Sequence, residues 1–184
     1  MSPRGFVDVE RLADQILLKS GTPRRPNGWA VDVEGILMRY CGFDVAYVPQ
    51  LSLGGARLSG AILPEQRVVL VESTEGERRK RFTIAHELGH AEIDYRAMSG
   101  GPSLFEVRAA SAYRCTSADV QDLRPDRAVA RREMLANKFA ASILMPRGLT
   151  RDVWRQTQDV AKSADLLEVS QEAAGYRLGE LKLL

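Results

Sequence analysis

Both histidines of this 184-residue chain fall inside one short string, Phe82-Thr83-Ile84-Ala85-His86-Glu87-Leu88-Gly89-His90, four positions apart. On an α-helix, residues i and i+4 project from the same face, one turn apart. His86 and His90 can therefore present two imidazole nitrogens to one cation. Glu87 is rotated by about 100° from His86, which keeps it from joining them as a ligand. It can instead reach a metal-bound water from the side, where a general base belongs. The apolar residues around the pair argue against a fully exposed helix carrying two solvated histidines.

H-E-x-x-H on a helix is the pattern of metal-dependent peptide hydrolysis. A catalytic zinc takes three protein ligands and leaves a fourth position to water. With both histidines used, the third ligand must be Glu, Asp or Cys. Glu133 is the best candidate. The helix expected over about 126–144 carries an apolar stripe at Val129, Ala136, Ala140, Ile143 and Leu144, and Glu133 falls within it. A carboxylate on a buried face is costly unless a cation accompanies it. The competing explanation is an ion pair between Glu133 and an arginine of another helix. Glu92 and Asp94 follow the motif too closely to turn back to the same cation, and Cys115 has no second cysteine to support it. Asn137, one turn beyond Glu133, is placed to hydrogen-bond a ligand from behind. Tyr95 and Tyr113 are candidates for stabilising a developing oxyanion.

The remaining sequence reads as one α+β domain, with a catalytic core over about 1–146 and a helical tail over about 147–184. Asp8 caps a helix to Lys19 with Leu12 and Ile16 on one face, stopped by Gly21. Asp32 caps a second helix with the stripe Val33, Ile36, Leu37 and Tyr40, ended by Gly42. Alternation at Phe43, Val45 and Tyr47 marks a strand. Leu58–Leu63 and Arg67–Val71 flank Pro64-Glu65-Gln66 as a hairpin, giving a small three-stranded sheet. The motif helix is expected from about Glu75–Glu77 to Asp94, and its basic run Arg78–Arg81 is a solvated face or a set of salt bridges. Met98–Asp126, punctuated by Gly100-Gly101-Pro102, reads as a long functional loop. Pro146 ends the next helix.

A net charge of +2 gives no strong electrostatic draw to nucleic acid or membrane. Met1–Glu10 holds no apolar signal segment and no apolar run approaches 18 residues, so a cytoplasmic protein is expected. Cys41 and Cys115 stand in no C-x-x-C spacing and are expected as free thiols.

Two blocks carry a family resemblance. Arg78 to His90, R-R-K-R-F-T-I-A-H-E-L-G-H, and Glu133 to Pro146, E-M-L-A-N-K-F-A-A-S-I-L-M-P, resemble the ImmA/IrrE family of bacterial metallopeptidases. The preceding Leu58-to-Ala61 and Val68-to-Val71 strands fit the same pattern. The resemblance implies a zincin-like fold, with the sheet packed on the motif helix, and a gluzincin-like site. His86, His90 and Glu133 would hold one Zn2+ per chain, with Mn2+ or another divalent ion as alternatives, and Glu87 would be the base. It further implies an intracellular endopeptidase that cuts a helix-turn-helix transcriptional repressor and so derepresses mobile-element or stress-response genes. The alternatives are a metal-bound regulatory module that binds the repressor without cutting it, or one component of a toxin–antitoxin pair. Keeping Glu87 argues against a site that only binds.

The segment from Val160 through Ser170 to Leu178 itself has the look of a helix-turn-helix, with Ser170 as the cap of its second helix. That helix carries Gln171, Glu172, Tyr176 and Arg177 and little positive charge. Phosphate contacts dominate DNA affinity, so docking to the protease body or to a repressor is expected rather than direct DNA binding.

Overall fold

The computed structural model describes residues 8–53, 55–98, 115–116 and 127–184. The first helix, α1 (Val9–Lys19), begins where the Asp8 carboxylate accepts from the amides of Glu10 and Arg11, and it buries Val9, Leu12, Ala13, Ile16 and Leu17. Next, α2 (Val33–Ile36) is capped by Asp32 and runs into a π-helical turn, Leu37–Cys41, that ends at Gly42 in the left-handed conformation. The wider turn breaks the 3.6-residue period. Val33, Ile36 and Leu37 are buried as the stripe predicts, whereas Tyr40 is 39% exposed.

Strands β1 (Asp44–Val48), β2 (Ser52–Leu53), β3 (Ala56–Leu63), β4 (Val68–Glu72) and β5 (Cys115–Thr116) form a mixed sheet in the order β1-β4-β3-β2, with β5 also on β3. The three expected strands are β1, β3 and β4; β2 and β5 are two-residue additions too short to leave a periodic signal. β3 and β4 are the antiparallel hairpin, and β1 runs parallel to β4 with Asp44 opposite Val68. Arg67 does not begin β4 as the alternation suggests. At φ 54° it closes the turn, its amide bonded to the Pro64 carbonyl at 3.2 Å. Glu72 finishes β4 with its carboxylate accepting from the amides of Leu51 and Thr74 at 2.7 and 3.0 Å, which fixes the loop between β1 and β2.

The motif helix α3 (Glu77–Met98) packs against β3, β4 and α4 (Arg127–Leu144). Its expected end near Asp94 falls four residues short. Each member of the basic run is ion-paired: Arg78 to Asp165, Arg79 to Glu75, Lys80 to Glu77 and Arg81 to Glu168. Arg81 is buried and also donates to the Val31 carbonyl at 3.1 Å. It thereby ties the start of α3 to Glu168 in the C-terminal part of the chain.

Helices α5 (Arg147–Thr157), α6 (Val160–Leu167) and α7 (Gln171–Glu180) complete the described chain. Ser170 caps α7 through the Ala173 amide. Val153, Ala164, Leu167, Val169 and Ala174 belong to the same apolar core as α1, α3 and α4. Arg177 is 2% exposed. It donates to the Met145 carbonyl at 3.0 Å, to Glu180 at 2.7 Å and to Glu10 at 2.5 Å. The tail is thus fastened to both α1 and the end of α4. No helix among the described residues is long and apolar enough to cross a membrane.

Candidate metal centre

His86 and His90 lie one turn apart on α3, each 2% exposed, with ring centroids 4.6 Å apart. Glu133 comes from the first half of α4. Its Oε2 stands 3.3 Å from His86 Nε2 and its Oε1 3.2 Å from His90 Nε2. The structure therefore brings these three predicted residues together, with one donor atom from each within 4.8 Å of the others.

Two glycines make this convergence sterically feasible. A Cβ on Gly89 would lie 2.9 Å from Phe139 Cδ1 and 3.3 Å from the Ala136 backbone. Only a bare α-carbon lets α3 and α4 approach closely enough for Glu133 to reach the histidines. On the other side, a Cβ on Gly60 of β3 would lie 2.3 Å from Thr83 Cγ2 and 3.2 Å from Glu87 Oε1. The strand backbone consequently rests against the carboxylate of Glu87, which is fully buried. Sequence reasoning passed over both positions. The available signal was their cost, because glycine inside a helix or strand loses stability unless close packing requires it.

Glu133 is less buried than its place in the apolar stripe implies. Val129 is 46% exposed, and the Glu133 side chain is 36% exposed. The buried face of α4 starts at Ala136 and continues through Phe139, Ala140 and Ile143, so Glu133 sits at its margin. The competing ion pair with an arginine is not what Glu133 forms, since its carboxylate faces the two imidazoles.

Asn137 Oδ1 lies 2.8 Å from His86 Nδ1. With Nδ1–H donating to that oxygen, the lone pair of His86 is on Nε2, the atom that faces Glu133. The donor set fits a divalent cation. Ligand atoms about 2.0–2.1 Å from a tetrahedral zinc stand roughly 3.4 Å apart, close to the two imidazole–carboxylate separations here. Cys41 is a free thiol, pushed up to about 12 by burial and by the charge of Glu92, which leaves it a poor ligand or nucleophile. Tyr113, the side chains of Asp94, Tyr95 and Cys115, and most of the Met98–Asp126 loop lie outside the described residues.

The comparisons agree with the geometry. Residues 35–179 match the family model of the IrrE N-terminal-like domain. The chain is 30% identical over 154 residues to the radiation response metalloprotease IrrE of Deinococcus radiodurans, covering 81% of this chain and 40% of that protein. It is 30% identical over 157 residues to the IrrE of Deinococcus deserti, covering 81% and 47%. It thus spans less than half the length of either curated relative. Among solved structures, a Mycobacterium tuberculosis transcriptional regulator superposes with a TM-score of 0.62 at 17% identity, over 95% of this chain and 47% of that one. This last likeness concerns the fold. With the family model covering most of the sequence and His86, His90 and Glu133 meeting at one point, the chain belongs to the ImmA/IrrE family of metallopeptidase domains.

Proposed function

We propose that this chain is a cytoplasmic zinc-dependent endopeptidase that hydrolyses a peptide bond in a helix-turn-helix transcriptional repressor. The observation that carries the reading is the meeting of His86, His90 and Glu133 beside a fully buried Glu87. A site that only held a metal would have no use for a carboxylate in that position. His86, His90 and Glu133 would hold the ion, which when bound supplies Lewis acidity toward water and the scissile carbonyl.

The chain's own residues perform the remaining work. Glu87 takes the proton of the attacking water and returns it to the leaving amine. Its place against Gly60 keeps bulk solvent from the carboxylate and aligns β3 alongside the reacting centre. Asn137 holds the His86 ring in one orientation. In this reading the catalytic part is about residues 1–146, and residues 147–184 contribute to the surface that meets the repressor. Support for a regulatory protein as substrate comes from family membership and from the low positive charge of α7, which suits protein rather than DNA.

The test is to incubate the purified chain with a helix-turn-helix repressor from the same genome, with zinc and with a chelator. A discrete, chelator-sensitive cut is expected, together with negligible digestion of casein. Brisk, unselective hydrolysis of casein would refute the narrow specificity proposed.

A further inference from the structure

A groove of about 840 Å3 lies beside the metal centre, lined by side chains of α3, α4, the α6–α7 turn and α7. Its apolar surface comes from Phe82, Met134, Ala141, Met145, Val169 and Ala173. Along α4 the lining runs from Met134 to Leu144, roughly 15 Å at the helical rise, or nearly three turns. Two large apolar side chains at its margins are strongly exposed, Met134 at 56% and Tyr176 at 75%. Exposed methionine and tyrosine in a groove are characteristic of protein recognition, because the one adapts in shape and the other adds rigid contact area.

The groove adjoins the site from behind His86. Asn137 lines it and also holds His86 Nδ1 at 2.8 Å. Phe82 lines it and places its ring 6.1 Å from the His86 ring. Met134 follows Glu133 directly. An occupant would therefore lie within about one helical turn of the metal donors.

Charge selects the occupant. Arg78, Arg79 and Lys138 line the groove against the acids Glu172 and Glu180, while Arg177 is buried and committed to Glu10. The three outer bases are half exposed; the pairs of Arg78 with Asp165 and of Lys138 with Glu180 lie at the surface, whereas Arg79 rests on the more buried Glu75. Exposed pairs such as the first and last are weak and exchange partners readily, so an incoming carboxylate can replace Asp165 on Arg78 or Glu180 on Lys138. We propose that the groove docks an amphipathic acidic helix of the protein substrate, its apolar side chains seated between α4 and α7 and its carboxylates on Arg78, Arg79 and Lys138. The helix-in-groove mode matches the three-turn length. This proposal rests on the protease reading and adds where and by what chemistry the substrate is recognised.

The probe is a fluorescein-labelled 16-residue peptide with leucine at helical i, i+3, i+4, i+7 spacing and glutamate on its polar face. A control peptide carries lysine in place of each glutamate. Anisotropy is read on the zinc-loaded Glu87→Gln chain, so binding is measured without cleavage. Saturable binding of the acidic peptide is expected, at least tenfold tighter than the lysine peptide. Lys138→Glu and Tyr176→Glu, both at exposed side chains, should each weaken it fivefold or more while zinc content stays unchanged. Equal binding of the two peptides, no saturable binding, indifference to both substitutions, or a dimer closed through this face in sedimentation would each overturn the proposal. Repressor cleavage at the unaltered rate by both variants would overturn the groove and leave the protease reading standing. Peptide docking with no cleavage of any repressor would overturn the protease reading alone.

Discussion

The Oδ1 of Asn137 on α4 and the Nδ1 of His86 on α3 lie 2.8 Å apart, behind the face on which His86 meets Glu133. Helix α4 therefore contacts the histidine twice, once through an expected ligand and once, a turn later, through the group that orients the ring. Partners of this kind commonly contribute about 10–100-fold to metal affinity. Asn137→Ala should weaken zinc binding by that order in a competition titration with a chromophoric chelator. Asn137→Asp, which keeps the acceptor, should restore most of the loss; failure of rescue would mean that Asn137 acts only through packing.

Glu133→Ala removes the carboxylate that both imidazoles face. Elemental analysis of the purified variant should show metal content well below one ion per chain, with circular dichroism unchanged because the side chain is partly exposed. Full occupancy in the variant would exclude Glu133 as a ligand.

Glu87→Gln preserves shape and loses the base. Its metal content should match that of the unaltered chain, and repressor cleavage should fall by about 10²–10⁴-fold, the usual contribution of a positioned acid–base group. Near-normal cleavage would discard the proposed mechanism.

Gly89→Ala tests the approach of the two helices. Alanine is better in a helix by about 1 kcal/mol, whereas forcing a methyl into a packed contact costs about 1–3 kcal/mol. The Phe139 ring at 2.9 Å can shift, but the Ala136 backbone at 3.3 Å cannot do so without moving α4. The packing cost should win. A lowered melting temperature accompanied by weaker metal binding is expected, and a stabilised variant with full zinc would contradict the steric account.

Acid should loosen the attachment of the tail. The hydrogen bond from Arg147 and the contact with Arg177, acting against burial, hold the Glu10 carboxyl down at about 2 from an ordinary 4.5. A depressed folded-state pKa stabilises the fold above the unfolded value and loses that contribution as pH falls from about 4.5 toward 2. The shift corresponds to about 3 kcal/mol, reduced to about 1–2 kcal/mol because Arg147 is half exposed and screened. Urea midpoints at pH 5 and pH 3 should converge more closely for Glu10→Gln than for the unaltered chain. An equal drop in both would remove Glu10 from the acid response.

The same anchor bears on the tail as a separable part. Arg177 reaches Met145 and Glu10, and Leu167, Val169 and Ala174 lie in the main core. Cutting the chain after Gly148 would expose that core, so loss of cleavage in such a truncation would report unfolding. Point substitutions on the groove separate docking from folding.

His86, Glu87 and His90 were legible in the sequence because their relation is local: three positions on one helix obey a fixed period that no tertiary contact alters. Asp8, Asp32 and Ser170 were legible as caps for the same reason, and the β3–β4 hairpin followed from its turn. Glu133 was legible as a candidate, though the reasoning placed it deeper in the core than the fold does. Only the tertiary structure decided that α4 crosses α3 at Gly89 and Ala136, because that distance depends on two helices nearly fifty residues apart. It also decided that β1 lies parallel to β4, that Arg177 is buried against Met145 and Glu10, and that a groove rimmed by bases and acids adjoins the candidate metal centre. Each of these is a long-range contact, and side-chain type constrains such contacts only after the chain has brought the partners together.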